Sequence, residues 1–279
     1  MSRALILVGV LFLNIPSVFA QTEDGYLRQG KSDYIQGNFA KAIIDLDKAI
    51  KINPKDARSY VDRGVIYYRQ MKISQAIADF NMGIKINPDD ARAYNNRGLA
   101  YKIEGKIPQA IIDFSKAIEI NHSYTNAYNN RGLSYAQEGN FSQSITDYTK
   151  AIEIRPNVAE VYNNRGYSYT RQRKFFQAIT DLNKAVEIDP NYVDAYNNLG
   201  LAYGKQVNFI QAIANFNKAI EINPNYAKLY INRAITYYFE KEYDKAWTDV
   251  HKASTLGYKF DEKNKDFLDK LKKASGRDQ

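Results

Sequence analysis

The sequence predicts an all-α solenoid, in which seven helix-turn-helix units stack along the chain. Three observations predict it. The chain repeats with a period of 34 residues from Glu23 to Phe260, without insertion or deletion. Aromatic and small residues recur in each unit at helical spacing. Proline follows most units, where it ends one helix and begins a turn. Two short helices cannot bury an apolar side alone, so neighbouring units must stack.

The residues before the repeats are typical of a secretory signal peptide. Arg3 precedes an apolar run from Ala4 to Leu13, Pro16 follows it, and Val18 to Ala20 offers small residues for cleavage. An uncleaved membrane anchor is the alternative, but it needs about 20 uninterrupted apolar residues. We therefore expect a signal peptide over residues 1–20, and no stable membrane insertion after its removal.

Cysteine usage and charge suggest a compartment and a class of partner. The chain has no cysteine, and its net charge is +8. Because an animal secreted protein of this size more often carries disulfides, a bacterial periplasm or secretion from a bacterium is the expected destination. A basic chain favours acidic partners. Nucleic acid is not expected, since export separates the chain from it and no basic block is longer than Lys272-Lys273.

The first helix of each repeat has one repeated packing face. We number places from the first residue of each repeat, so that Glu23 holds the first place of the first repeat. The fourth place is always tyrosine, namely Tyr26, Tyr60, Tyr94, Tyr128, Tyr162, Tyr196 and Tyr230. The eighth place is small, namely Gly30, Gly64, Gly98, Gly132, Gly166, Gly200 and Ala234. Glycine costs a helix about 1 kcal/mol, so its recurrence predicts that a neighbouring helix backbone comes very close.

The second helix of each repeat carries a small residue at the twentieth place and a large one at the twenty-fourth. The small residues are Ala42, Ala76, Ala110, Ser144, Ala178, Ala212 and Ala246, and the large ones are Leu46, Phe80, Phe114, Tyr148, Leu182, Phe216 and Val250. Gly37, Gly105 and Gly139 predict tight turns between the two helices. Pro54, Pro88, Pro156, Pro190 and Pro224 separate the repeats.

These residues resemble the tetratricopeptide repeat, whose signature is an aromatic, a Leu-Gly pair, an aromatic, an alanine, an aromatic, an alanine and a closing proline. The resemblance covers Glu23 to Phe260, and with the signal peptide it suggests an exported bacterial member. It implies a right-handed α-solenoid of seven 34-residue repeats, over residues 23–56, 57–90, 91–124, 125–158, 159–192, 193–226 and 227–260. A C-terminal capping helix and tail would occupy residues 261–279, where Phe267 and Leu271 share one helix face.

Arginine stands at the seventh place of five repeats, where the family usually has leucine. Each of these repeats also has aspartate sixteen residues later: Arg63 with Asp79, Arg97 with Asp113, Arg131 with Asp147, Arg165 with Asp181, and Arg233 with Asp249. The sixth repeat has Leu199 and Asn215 instead, so it lacks both together. This joint loss suggests ion pairs between the two helices of one repeat. Two unrelated surface preferences are the alternative, because exposed charges seldom need partners.

The resemblance implies that the side of the first helix opposite the packing face lines a concave groove. Asparagine recurs there at the fifth and sixth places, as Asn95, Asn96, Asn129, Asn130, Asn163, Asn164, Asn197, Asn198 and Asn232. A carboxamide pairs with both N–H and C=O of a peptide, although a purely structural use of these asparagines is equally compatible with the pattern. Around them we expect basic contacts from Arg58, Arg92, Lys102, Arg171 and Lys205.

No motif for catalysis, a cofactor or a metal is present. The only histidines, His122 and His251, lie in different repeats, whereas a zinc site needs three or four ligands. Phosphate loops, dinucleotide fingerprints and nucleophile elbows are absent from the sequence. We therefore predict no catalytic, cofactor-binding or metal-binding residues, and no enzyme.

These observations favour a non-enzymatic scaffold of the cell envelope that binds a protein or peptide partner in the concave groove, with acidic partners preferred. The alternative is an accessory protein for polysaccharide export or for the binding of acidic polymers. Cations beside tyrosines would suit such a ligand. Uniform spacing leaves no inserted loop that could hold a catalytic site.

Overall fold

The computed structural model describes residues 22–277, and the predicted signal peptide over residues 1–20 lies outside this range. Within it the chain is all-α, as predicted, and has no strand. The helices are α1 (Glu23–Ile35), α2 (Phe39–Ile52), α3 (Ala57–Arg69), α4 (Ile73–Ile86), α5 (Ala91–Ile103), α6 (Ile107–Ile120), α7 (Thr125–Gln137), α8 (Phe141–Ile154), α9 (Ala159–Arg171), α10 (Phe175–Ile188), α11 (Val193–Lys205), α12 (Phe209–Ile222), α13 (Ala227–Phe239), α14 (Tyr243–Thr255) and α15 (Glu262–Ser275).

The helices form two compact units, unit 1 up to Ile120 and unit 2 from Asn121. One continuous domain was expected from the repeat. In both units each odd-numbered helix up to α13 packs on the even-numbered helix after it, and that helix packs on the next odd-numbered one of the same unit. Because contacts in a repeat array are made mainly between neighbours, such an array divides readily along its length. Between residues 22 and 277, no helix has both the length and the apolarity needed to cross a bilayer.

The helix boundaries follow the local sequence. Every first helix begins at the first place of its repeat, and every second helix begins at the seventeenth. Thr22 caps α1 by accepting a hydrogen bond from the Gly25 N–H at 3.1 Å, and Asp56 caps α3 by accepting one from the Arg58 N–H at 3.0 Å. Such caps satisfy N–H groups that have no partner within the helix.

The turn between the two helices of a repeat requires a left-handed residue at the fifteenth place. Gly37, Gly105 and Gly139 have positive φ there, as predicted. Four other repeats place a larger residue in the same conformation, namely Met71, Arg173, Val207 and Lys241, with φ between 60° and 63°. This conformation costs a non-glycine residue about 1–2 kcal/mol. The turn is held by hydrogen bonds such as that from the Lys174 N–H to the Tyr169 carbonyl at 2.9 Å.

The glycine at the eighth place packs against a side chain of the second helix, rather than primarily against a backbone as we expected. A Cβ added to Gly98 would lie only 2.7 Å from Cε1 of Phe114. The same close approach joins Gly64 to Phe80 and Gly132 to Tyr148. The glycine therefore makes room for the large buried residue at the twenty-fourth place.

The C-terminal helix α15 packs against α14 of the last repeat. Leu271 is fully buried in a cluster with Ala234, Ala246 and Val250. The Phe267 ring meets the Tyr238 ring edge-on, with 5.9 Å between their centroids. Unit 2 thus ends in a helix whose charged side faces solvent and whose apolar side completes the core.

Candidate functional site

The five predicted Arg–Asp pairs form within single repeats, which confirms the hypothesis. In the fourth repeat, Arg131 donates from Nε to Asp147 Oδ2 at 2.8 Å and from Nη2 to Asp147 Oδ1 at 2.7 Å. The same two-bond fork joins Arg63 to Asp79, Arg97 to Asp113, Arg165 to Asp181 and Arg233 to Asp249. The aspartates are buried, so these charges are structural and not available to a ligand.

Four of these arginines, Arg63, Arg97, Arg165 and Arg233, also reach the preceding repeat, which the sequence analysis missed. Arg165 Nη1 donates to Thr149 Oγ1 at 3.0 Å, and Arg97 Nη1 donates to Asn81 Oδ1 at 2.7 Å. Thr149 and Asn81 hold the twenty-fifth place. The signal was present, because that place is occupied by a polar residue in every repeat. Each of these guanidinium groups therefore links three helices.

Burial and the ion pair shift the pKa of the carboxylate in this fork in opposite directions. Burial raises the pKa of Asp147, while the hydrogen bonds from Arg131 lower it. In return, Asp147 raises the pKa of Arg131. The carboxylate thus depends on its arginine to remain charged inside the protein.

The predicted asparagine row splits into a buried and a half-exposed set. At the fifth place, Asn95, Asn163 and Asn197 are only 4%, 6% and 7% exposed. This burial corrects the expectation that both asparagines of each pair line an open surface. At the sixth place, Asn96, Asn130, Asn164, Asn198 and Asn232 are half-buried, as is Asn129 at the fifth.

In unit 2, hydrogen bonds join the asparagines of successive repeats. Asn198 Nδ2 donates to Asn163 Oδ1 at 2.8 Å, and Asn232 Nδ2 donates to Asn197 Oδ1 at 2.7 Å. A third bond, from Asn164 Nδ2 to Asn129 Oδ1, is 3.2 Å long. The fifth-place carboxamides therefore serve the packing between repeats, and the sixth-place carboxamides are fixed in orientation by them.

Tyr192 contacts the buried set of the asparagine row through Asn163. Its hydroxyl accepts a hydrogen bond from Asn163 Nδ2 at 3.4 Å. Burial raises the pKa of Tyr192 to about 12, with smaller contributions from the carboxylates of Glu160 and Asp194. The phenol therefore stays neutral at physiological pH.

Two of the sixth-place asparagines, Asn198 and Asn232, keep an acceptor free. Within residues 22–277, the Oδ1 atoms of Asn198 and Asn232 have no hydrogen-bond donor, although their Nδ2 groups are engaged. An amide oxygen that is already held in one orientation can accept a peptide N–H with little further loss of side-chain entropy on binding. These two side chains are the best-placed candidates for contact with a partner.

The predicted basic contacts differ between the two units. In unit 1, Arg58 pairs with Asp56 at 2.9 Å and with Asp24 at 3.0 Å, and Arg92 pairs with Asp62 at 2.7 Å. Lys102 lies half-buried on α5. The charges of both arginines are therefore neutralised within unit 1.

In unit 2, Arg171 and Lys205 have no carboxylate within ion-pair distance among the described residues. Arg171 Nη1 donates to Tyr167 Oη at 2.7 Å, and its guanidinium lies 4.8 Å from the centre of the Phe141 ring. Both cations are exposed at the end of their helices. Their charge remains available to an anionic ligand.

A small apolar cavity opens beside these cations, and the sequence analysis did not predict it. It has a volume of about 160 Å³ and lies among α11, α12 and α13. Gly204 lines it at the twelfth place, where each of the six other repeats carries a larger residue. The missing side chain is the sequence signal that could have revealed the cavity.

Neither histidine belongs to a metal site in the described part of the chain. No group of three or more histidine, aspartate or glutamate residues between 22 and 277 is arranged to hold a metal ion. His122 is exposed in the turn before α7, and the His251 ring lies 5.8 Å from the Trp247 ring.

Family models of the tetratricopeptide repeat match most of the chain. One, described as TPR repeat, matches residues 30–70, 72–102, 132–173 and 166–207. Two others, described as Tetratricopeptide repeat, match residues 91–124 and 193–226, and residues 215–248. Among curated proteins, none matches the chain significantly.

Several solved structures share this fold. A tetratricopeptide repeat protein from Parabacteroides merdae is 20% identical, with 92% of this chain and 99% of that chain covered and a TM-score of 0.68. YrrB, described as a TPR protein with an unusual peptide-binding site, is 22% identical, with 66% and 95% covered and a TM-score of 0.57. MamA is 26% identical, with 62% and 94% covered and a TM-score of 0.55.

The matched repeats and the helix pairs lead to the same conclusion. The family models cover well over half of the residues, and their matches extend over both units. The chain belongs to the tetratricopeptide repeat family.

Proposed function

We propose that this protein is a non-enzymatic scaffold, and that it binds an extended segment of a partner protein along the sixth-place asparagines of unit 2. Tetratricopeptide repeat proteins generally mediate protein–protein interactions. The description of YrrB as peptide-binding supports a peptide as the ligand. Asn164, Asn198 and Asn232 provide the contacts.

The observation that carries the proposal is the fixed orientation of these carboxamides. The Nδ2 groups of Asn164, Asn198 and Asn232 are each held by the preceding repeat, while the Oδ1 atoms of Asn198 and Asn232 have no donor among the described residues. Successive acceptors on neighbouring helices suit the N–H groups of an extended backbone. Because such bonds ignore the side chains of the ligand, the row would tolerate many sequences.

We place this scaffold in the bacterial cell envelope, as a periplasmic or secreted protein, because residues 1–20 have the pattern of a signal peptide. Its basic charge favours an acidic partner. An acidic polysaccharide is the competing ligand, held by cations rather than by oriented amides. Salt separates the two, because screening weakens charge contacts more than amide hydrogen bonds.

The asparagine row can be tested with a matched pair of variants. Asn198→Ala and Asn163→Ala both remove the 2.8 Å bond between these residues, but only Asn198 is half-exposed. We expect Asn198→Ala to weaken binding of a partner segment about fivefold to tenfold, as loss of one hydrogen bond predicts. Asn163→Ala should lower stability and weaken binding less than Asn198→Ala, because the Asn198 acceptor is still present and loses only its fixed orientation.

The measurement begins with crosslinking in intact cells and mass spectrometry, which identify the partner segment. Its affinity for the full chain and for both variants is then measured by fluorescence anisotropy, at low and high salt. Equal affinity of the two variants would contradict a contact at Asn198. A ligand that is released by high salt and is not weakened by Asn198→Ala would favour the acidic polysaccharide.

A further inference from the structure

The cavity beside Gly204 is shaped for one apolar side chain. Gly204 is helical, and a Cβ added to it would meet only Cβ of Ala212, at 3.9 Å. Leu201, Phe216 and Ile235 line the same space of about 160 Å³. An apolar cavity of about 150 Å³ in another protein takes up benzene. The volume therefore fits one aromatic or branched aliphatic side chain.

The mouth of the cavity is formed by aromatic rings. Phe209 and Phe239, both part of its lining, stack with 5.9 Å between ring centroids and 9° between planes. Phe239 is 60% exposed. Two large apolar residues within two positions of Phe209 in sequence, Val207 and Ile210, are 71% and 75% exposed. Several exposed apolar side chains at one place are typical of a binding surface.

Unpaired cations stand next to this mouth. A second concavity, of about 530 Å³, shares Gly204, Lys205 and Phe239 with the first and adds Arg171 and Arg173 to its lining. Among residues 22–277, no carboxylate lies within ion-pair distance of these three cations. This contrasts with the paired arginines of unit 1. An anionic ligand would therefore gain charge contacts here without displacing an internal partner.

We propose that these two concavities form one site, the Gly204 site, for an acidic peptide with a large apolar anchor. The anchor occupies the cavity, and aspartate or glutamate residues beside it pair with Lys205, Arg171 and Arg173. A peptide is favoured over an acidic sugar polymer, because a sugar has no apolar group to fill the cavity. The inference rests on the proposed scaffold function and specifies its partner.

The test uses the full chain and two fluorescein-labelled peptides. Both have three acidic residues on each side of the centre, which is phenylalanine in one and alanine in the other. Gly204→Leu fills the cavity, and it should not lower stability, because leucine has the better helix propensity by about 1 kcal/mol. We expect it to weaken the phenylalanine peptide about tenfold and to leave the alanine peptide nearly unchanged.

Two controls separate the anchor from the charges. Gly204→Ala adds only a methyl group and should reduce affinity for the phenylalanine peptide much less than Gly204→Leu. Arg171→Gln with Lys205→Gln should weaken both peptides and reduce their salt dependence. Thermal unfolding of each variant, followed by circular dichroism, verifies that it is folded.

Equal binding of the two peptides to the natural chain would overturn the proposal, and so would tight binding of the phenylalanine peptide by folded Gly204→Leu. Either result leaves the scaffold function standing if Asn198→Ala still weakens the partner found by crosslinking. If Gly204→Leu no longer binds the crosslinked partner and Asn198→Ala still does, the partner contacts the Gly204 site instead of Asn198.

Discussion

Replacing Arg131 with leucine lowers the free energy of unfolding by about 3–5 kcal/mol, because it leaves a buried carboxylate without its partner. Asp147 is only 3% exposed and is held by two hydrogen bonds from Arg131. The double variant Arg131→Leu, Asp147→Asn removes both charges. It should lose only about 1 kcal/mol, since a buried ion pair is often replaced by neutral groups at little cost.

The sixth repeat already contains this neutral pair. Leu199 is buried with Leu182 and Ala202, and Asn215 donates from Nδ2 to the Gln211 carbonyl at 2.8 Å. The same fold therefore accommodates leucine and asparagine at these two places. This natural substitution is the reason to expect that the double variant folds and is nearly as stable as the parent.

Urea unfolding of the parent, both single variants and the double variant gives the interaction energy of the fork. The test requires the Arg131→Leu variant to be markedly less stable than the double variant at neutral pH. If the two variants have the same stability, the buried carboxylate costs nothing without its arginine, and the fork stabilises the protein only through packing.

The difference between those two variants should shrink in acid. In the folded Arg131→Leu chain, burial raises the pKa of Asp147 and no arginine lowers it, so the folded state binds a proton more tightly than the unfolded state. The charged, unpaired Asp147 lowers the free energy of unfolding above that raised pKa. This loss of stability decreases as the pH falls through the raised pKa and the carboxylate takes up a proton. Comparison with the double variant between pH 7 and about pH 5 cancels the other carboxylates. A constant difference over this range would contradict the assignment.

Repetition explains which features could be predicted from the sequence. The Arg–Asp forks were predicted because Leu199 and Asn215 depart from the pattern together. Helical spacing predicted which face of the first helices carries the asparagine row. It did not predict how deeply each asparagine is buried. Whether Asn163 is buried depends on how closely the next repeat packs, which a count of places does not include. The Gly204 site was missed although its signal is in the sequence, because a glycine at the twelfth place does not by itself show that the neighbouring helices leave the space open.

The pairing of glycine with a large aromatic side chain provides the second large effect. Gly98→Ala should destabilise the protein by about 1–3 kcal/mol through overpacking, although alanine is the better helix former. The added Cβ would lie 2.7 Å from Cε1 of Phe114, whose ring is fully buried. A stable or stabilised Gly98→Ala variant would show that the second helix can shift outward freely.

The seventh repeat shows the compensating change, because it has Ala234 where the others have glycine and Val250 where they have a larger residue. Both are buried in one cluster. Phe114→Val alone should cost about 2–4 kcal/mol through lost burial and a new cavity. In the double variant Gly98→Ala, Phe114→Val, the new methyl group occupies part of that cavity. Its loss of stability should therefore be at least about 1 kcal/mol smaller than the sum of the single losses. Strictly additive losses in urea unfolding would mean that the two places were filled independently, and that the alanine and valine of the seventh repeat are not a matched pair.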